Sequence, residues 1–297
     1  YCGIQACHFD ARPDRKGWRI VPAAVKAEFA ENIKFSNCSF QNLGGTGLLL
    51  GTACKNCVVE NVVFEDISGN GIMIGEGQDR LVNGQPWWKS TPDQVAKGNT
   101  IQNCTVTECG SQFYGAVGIW CGLTAETKIR NNKVFNLPYS GISVGWMWSP
   151  EPTPCRANTI EGNHIHHIMN ILSDGGGIYM LGLQPGSIIR NNHIHDVQIN
   201  AGRAESNGMF LDEGITDVVV ENNLVYNIAK SPLRFHKATK NLVKNNLFFC
   251  IDNNPPIRYN STKEDDILKV DNKIFNVGEP EYKKELEKAI KYWKPCE

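Results

Sequence analysis

The sequence predicts an all-β chain wound as a right-handed parallel β-helix, a solenoid, with one short helix near its C-terminal end. Three observations carry this. A phrase built on Asn recurs at Asn37, Asn61, Asn103, Asn132, Asn163, Asn192, Asn223 and Asn246, with intervals of 24, 42, 29, 31, 29, 31 and 23 residues. Self-similarity at such a period marks a solenoid, with the longer steps read as one unit plus loop insertions. The short runs after each Asn alternate apolar and polar residues, as in Ile165-His166 and Ile194-His195, which is the period of a strand. No helical pattern separates them, so a βαβ array is excluded, and right-handed winding is the default for parallel crossovers.

Residues 1–26 carry no repeat and read as an irregular segment, with His8, Asp10 and Arg12-Pro13-Asp14-Arg15 in loop and Trp18 packed beneath. The solenoid is expected over 27–275. In each unit the aligned Asn suits a bend, where its amide satisfies backbone groups and can stack on its equivalents up the ladder. A glycine then opens the next strand at Gly47, Gly71, Gly118, Gly141, Gly177 and Gly208. The following residue should face the core, which gives the apolar column Leu48, Ile72, Ile119, Ile142, Ile178, Met209 and Leu233. After Phe249 the repeat fades, with Asn272-Lys273-Ile274-Phe275 a degenerate last strand. A helix is expected within 280–297, from Pro280 to Trp293, because Tyr282, Leu286, Ile290 and Trp293 recur at helical spacing behind an initiating proline. It would pack on the body or blunt the open end.

The chain has 297 residues and a formal net charge of −1, which argues against a nucleic-acid partner. No apolar run is long enough to span a membrane. There is no signal-peptide pattern, and the chain opens at Tyr1 without Met, so it reads as processed, trimmed or part of a longer protein. The 11 cysteines are irregularly spaced, and Cys54-Lys55-Asn56-Cys57 lacks the second pair a zinc site would want. They read as structural thiols. No metal or other cofactor is called for.

The distance from the aligned Asn to the next glycine is 10, 10 and 9 residues in the first, second and fourth units but 15, 14 and 16 in those at Asn103, Asn163 and Asn192. Loops inserted on a rigid scaffold are where sites are usually built. A further insertion, Glu76 to Lys97, holds Trp87-Trp88. The second residue of the post-glycine strand should face outward, giving a column that includes Trp120, Tyr179, Phe210 and Arg234. Exposed aromatic rings with polar edges are what sugars stack on, although the long loops could instead cover them. Trp146 joins this substrate-binding set. Asp212 continues the outward register two residues after Phe210, with His236 in the equivalent place one coil on; Asp174 precedes a run of three glycines, with Glu205 as its equivalent. Two outward carboxylates beside aromatic surface fit glycosidic hydrolysis, which needs an acid and a base or nucleophile. Asp174 and Asp212 are the candidate catalytic pair, Glu213 and Glu205 the reserves, and His236 and Arg234 substrate contacts. The columns His164 over His193 and His166 over His195 continue the strand rhythm and read as structural stacking, with metal binding and substrate contact as alternatives.

The motifs Asp174-Gly-Gly-Gly-Ile-Tyr179, Asn192-His-Ile-His-Asp196, Leu211-Asp212-Glu213-Gly214 and Glu221-Asn-Asn-Leu-Val-Tyr-Asn227 resemble those of the β-helix glycosidases of glycoside hydrolase family 141, over roughly residues 20 to 250. The resemblance implies action on plant cell-wall polysaccharide, of the fucosidase or xylanase kind, by two aspartates mapping onto Asp174 and Asp212. It also implies a secreted or periplasmic location and a poly- or oligosaccharide partner. Members are usually longer, and where a His-Tyr pair is common this chain reads Arg234-Phe235-His236-Lys237. A polysaccharide lyase on the same scaffold, with Arg234 as base, and a non-catalytic glycan-binding or structural β-helix are the competing readings.

Overall fold

The computed structural model describes residues 5–10, 18–198 and 204–295. Each coil contributes one strand to each of three parallel nine-stranded sheets, and the coils wind a right-handed β-helix. In the coil around Asn163, Thr159–Glu161 lies in the first sheet, His164–Ile168 in the second and Gly175–Met180 in the third. The core column of the third sheet is as expected: Leu48, Ile72, Ile119, Ile142, Ile178, Met209 and Leu233 are fully buried and in register from coil to coil.

The Asn ladder forms, with one correction. Asn132, Asn163, Asn192, Asn223, Asn246 and Asn272 are stacked, each donating its side-chain amide to the next side-chain carbonyl at 2.9–3.0 Å. Asn37, Asn61 and Asn103 do not belong to that column. Strand register pairs Ser39 with Val63, Thr105, Lys133 and His164 in succession, so the ladder position in the early coils is Cys38, Val62 and Cys104. Asn37, Asn61 and Asn103 instead take the preceding bend position, at φ near +53°, shared with Asn131, Asn191 and Asn222. Asn tolerates this left-handed conformation better than most residues. Counted from the ladder position, the spacing to the glycine is 9, 9, 14, 9, 14 and 16 residues, which sharpens the contrast between plain and inserted coils.

The N-terminal boundary differs from expectation. The first coil strand is Ala23–Ala27, so the solenoid starts inside the segment read as irregular. Before it, His8–Asp10 pairs antiparallel with Trp18–Ile20, and Ala6 is buried in the main core. Arg12 to Arg15 lie outside the described residues. At the other end Ile257–Asn260, Ile267–Val270 and Lys273–Asn276 complete a further coil beyond the fading of the repeat. The helix Tyr282–Tyr292 runs along the outer face of the second sheet rather than over the open end. Tyr282 meets Phe249 edge-on at 5.5 Å, and the Trp293 indole donates to the Asn191 carbonyl. No described helix is long and apolar enough to cross a membrane. Cys54, Cys57, Cys104, Cys109, Cys121, Cys155 and Cys250 are buried free thiols, and Cys38 is an exposed one.

Candidate active site

The three inserted loops leave the solenoid at one corner, between the second and third sheets: 110–118, 169–174 and 198–205. The first two contribute Gly115, Ile171, Leu172, Ser173 and Asp174 to the wall of a groove of about 750 Å³ that crosses the outer face of the third sheet. Residues 199–203 of the third lie outside the described residues. Trp148, Asp212, Glu213 and His236 form the facing side, with Tyr179, Phe210 and Arg234 in the groove as well.

The strand containing Asp174 is shaped by close approach. A Cβ on Gly175 would lie 2.3 Å from the Ser140 hydroxyl, on Gly176 2.7 Å from the Asn207 carbonyl, and on Gly177 2.7 Å from a methyl of Ile194. Only glycine lets the chain pass so near its neighbours. The unusual backbone is at Asp174 itself, with φ +68°. It is fixed by its amide donating to Glu205 O at 3.0 Å and by the Tyr139 hydroxyl donating to its carbonyl at 2.7 Å. Gln5 in turn donates to Tyr139.

The two aspartates share the groove in different settings. The Asp212 side chain is 13% exposed; its Oδ2 accepts the Tyr179 hydroxyl at 2.5 Å and its Oδ1 meets His236 Nδ1 at 2.7 Å. Both are bonds that an ionised carboxylate accepts. The Asp174 side chain is 56% exposed toward the groove mouth, 3.7 Å from an Arg234 guanidinium nitrogen. Its carboxyl is nevertheless pushed up from the usual range: crowding by the groove walls is the largest cause and the Asp212 charge adds to it, against the opposing pull of Arg234 and His236. Arg234 lies over the Phe210 ring at 4.2 Å and donates to the Asn260 side chain at 2.9 Å.

Several expected residues stand elsewhere. Trp120, Tyr179 and Phe210 face outward but are not exposed, at 1%, 2% and 1%. Tyr179 and Phe210 still border the groove, whereas Trp120 borders a second cavity toward the N-terminal end. His8, buried rather than in an open loop, lies 4.8 Å from Trp120 and 4.9 Å from Trp146 and covers both. Trp146 is therefore a packing residue, and Trp148, edge-on to it at 4.9 Å, is the one that lines the groove. Glu205 is engaged with Arg258 at 2.9 Å and Arg234 at 3.9 Å, outside the groove lining, while Glu213 lines it in an ion pair with Lys237. Sequence reasoning missed Tyr139 and Gln5. Both lie outside the strand repeat, so periodicity gives no signal for them.

The model of the family described as "Right handed beta helix region" matches residues 23–170 and 153–279. The chain belongs to this family. Within the β-helix fold it is similar to a solved structure named a glycoside hydrolase, at 23% identity and a TM-score of 0.70, covering 96% of this chain and 45% of that one. It is also similar to the lacto-N-biosidase of Eubacterium ramulus (13% identity, TM-score 0.52, 88% and 52% covered). A third likeness is to a tailspike protein mutant of an E. coli bacteriophage in complex with a pentasaccharide (11%, 0.54, 83% and 45%). At these identities the likeness establishes the fold. The chain spans about half the length, or less, of each of these β-helix proteins. No curated protein matches the sequence.

Proposed function

We propose that this β-helix protein is a glycoside hydrolase that cleaves a poly- or oligosaccharide in the groove across the third sheet, with Asp174 as general acid/base and Asp212 as nucleophile or base. The observation that carries the reading is the asymmetry of the pair. Asp174 has its carboxyl pushed up, as a proton donor requires, while Asp212 is oriented by Tyr179 and His236. Asp174 would deliver its proton to the glycosidic oxygen as the bond to the anomeric carbon breaks. Asp212 would attack that carbon directly or take the proton of an attacking water, the two routes differing in stereochemical outcome. Trp148 and Arg234, the latter seated on the Phe210 ring, offer contacts for the flanking sugar. The solved glycoside hydrolase and biosidase on the same fold support carbohydrate as the substrate class. The motif resemblance supports a plant cell-wall glycan, of the fucosidase or xylanase kind, and with it a site of action outside the cytoplasm.

The test is Asp174→Asn and Asp212→Asn, assayed on aryl glycosides and cell-wall oligosaccharides alongside thermal unfolding. Each should slow turnover by roughly 10²–10⁴-fold with the melting temperature retained. Turnover close to that of the unmodified protein in either variant removes that residue from the mechanism. A product absorbing as an unsaturated sugar would transfer the site to a lyase with Arg234 as base. Proton NMR of the first-formed anomer then decides between retention and inversion.

A further inference from the structure

We propose that His164, His193 and His195, on the outer face of the second sheet, form a binding site for a divalent transition metal of the zinc class. The site is separate from the groove, which crosses the third sheet. One ring nitrogen from each histidine lies within 4.8 Å of one from each of the others. Structural stacking accounts for part of the arrangement: His164 lies over His193 at 4.5 Å and His166 over His195 at 4.9 Å, both within 10° of parallel. Stacking does not account for the diagonal. His164 Nε2 and His195 Nε2, on neighbouring strands and two positions apart along them, converge at 2.8 Å as a hydrogen-bonded pair, and a metal would take the place of the proton between them.

The flanking groups are those of a metal-binding histidine. Asp196 Oδ2 stands 2.7 Å from His195 Nδ1 and so holds the proton on that nitrogen, leaving a lone pair on Nε2 toward His164. Histidines that bind metals usually donate their other N–H to a carboxylate in this way. Asp196 is itself held by Asn227. His193 is 5% exposed, and its Nδ1 is buried with no hydrogen-bond partner among the described residues, while its Nε2 meets the Tyr226 hydroxyl at 3.2 Å. A buried imidazole nitrogen without a partner is costly unless something meets it.

Three imidazoles suit zinc, copper or nickel and not calcium or magnesium. Ligands at 2.0–2.1 Å on a tetrahedral ion stand about 3.3 Å apart, so the closest pair must open slightly and the widest must close by about 1.5 Å. The metal would bridge two adjacent coils. It would lie beneath Trp293, whose ring is 4.8 Å from His193 and 5.8 Å from His164, so loading would be felt at the end of the C-terminal helix.

The experiment takes the full chain, stripped with a chelator, and titrates Zn²⁺ by calorimetry, with Ca²⁺ and Mg²⁺ as controls. One Zn²⁺ should bind per chain and raise the melting temperature as its concentration rises. Asp196→Asn should weaken affinity by about 10–100-fold, and His195→Asn or His164→Asn should weaken it at least as much. Cu²⁺ should quench tryptophan emission in the unmodified protein, and Trp293→Phe should remove most of that quenching. Absence of any Zn²⁺-dependent heat or melting shift in the unmodified protein overturns the proposal without reference to a variant. So does undiminished affinity in the histidine variants, which would move the metal to the cysteines.

Discussion

Asp212 shows how much one side chain depends on its neighbours. Tyr179 and Asp212 lie one coil apart, and the tyrosine hydroxyl reaches the carboxylate at 2.5 Å. Removing a hydrogen bond to a charged group costs about 1.5–3 kcal/mol, so Tyr179→Phe should lower kcat/KM by about 10- to 100-fold. Its melting temperature should fall by only a few degrees, because the ring and its edge contact with Phe210 remain. Arg234 tests the other carboxylate. Its charge pulls the Asp174 carboxyl down against the upward push of its surroundings. Arg234→Met keeps packing against Phe210 but removes the cation, so Asp174 should stay protonated to higher pH. The alkaline limb of the pH–rate profile should move up, and an unmoved limb would deny Asp174 the role of acid. The common placement of Asp212, His236 and Arg234 was legible in the sequence because each continues the outward register of the third sheet, and that of Asp174 because it precedes the three glycines. The burial of Trp120 and Trp146 was not: it arises from His8, a residue more than a hundred positions away with no pattern to announce it.

At the scale of the element, the ladder and the glycine strand hold the groove in place. Asn192 accepts from the Asn163 backbone and side-chain amides and donates to Ile160 O and Asn223 Oδ1, all within 2.9–3.2 Å and fully buried. Asn192→Ala would leave buried donors and acceptors unmet, at about 1–3 kcal/mol for each group. Chemical denaturation should therefore show a loss of several kcal/mol. Gly176→Ala acts differently. Its Cβ would press on the Asn207 carbonyl, forcing apart the two strands that position Asp174 and Phe210. A strain of about 1–3 kcal/mol should come with a fall in turnover. The ladder's existence was readable from the Asn repeat, but its register was not. Two adjacent columns both favour Asn, one for its amide and one for its tolerance of positive φ, and sequence alone cannot say which column a lone Asn occupies.

Across the whole molecule, the solenoid's one-dimensional build made the fold legible, since each coil repeats the same inward column and contacts its neighbours. What lies outside the repeat, namely the antiparallel pair near the start and the helix along the second sheet, had no such signal for its placement. These parts also bury histidines: His8, on the antiparallel pair itself, against Trp120 and Trp146, and His193 beneath Trp293. This gives the stability a defined pH dependence. Burial holds His8, His164 and His166 to about 4 and His193 to about 3, against about 6.5 in the unfolded chain. Between these values the unfolded chain binds more protons, so stability is fully present above pH 6.5 and falls as pH drops from 6.5 toward 4. Asp174 acts with the opposite sign, because its raised carboxyl takes up a proton earlier in the fold than in the unfolded chain, and it offsets a little of the loss at the acid end. The melting temperature of the metal-free protein should therefore drop between pH 7 and pH 4.5. His193→Phe, which keeps a flat ring under Trp293, should flatten the drop; equal slopes in the two proteins would mean that the histidine stack does not govern the acid sensitivity.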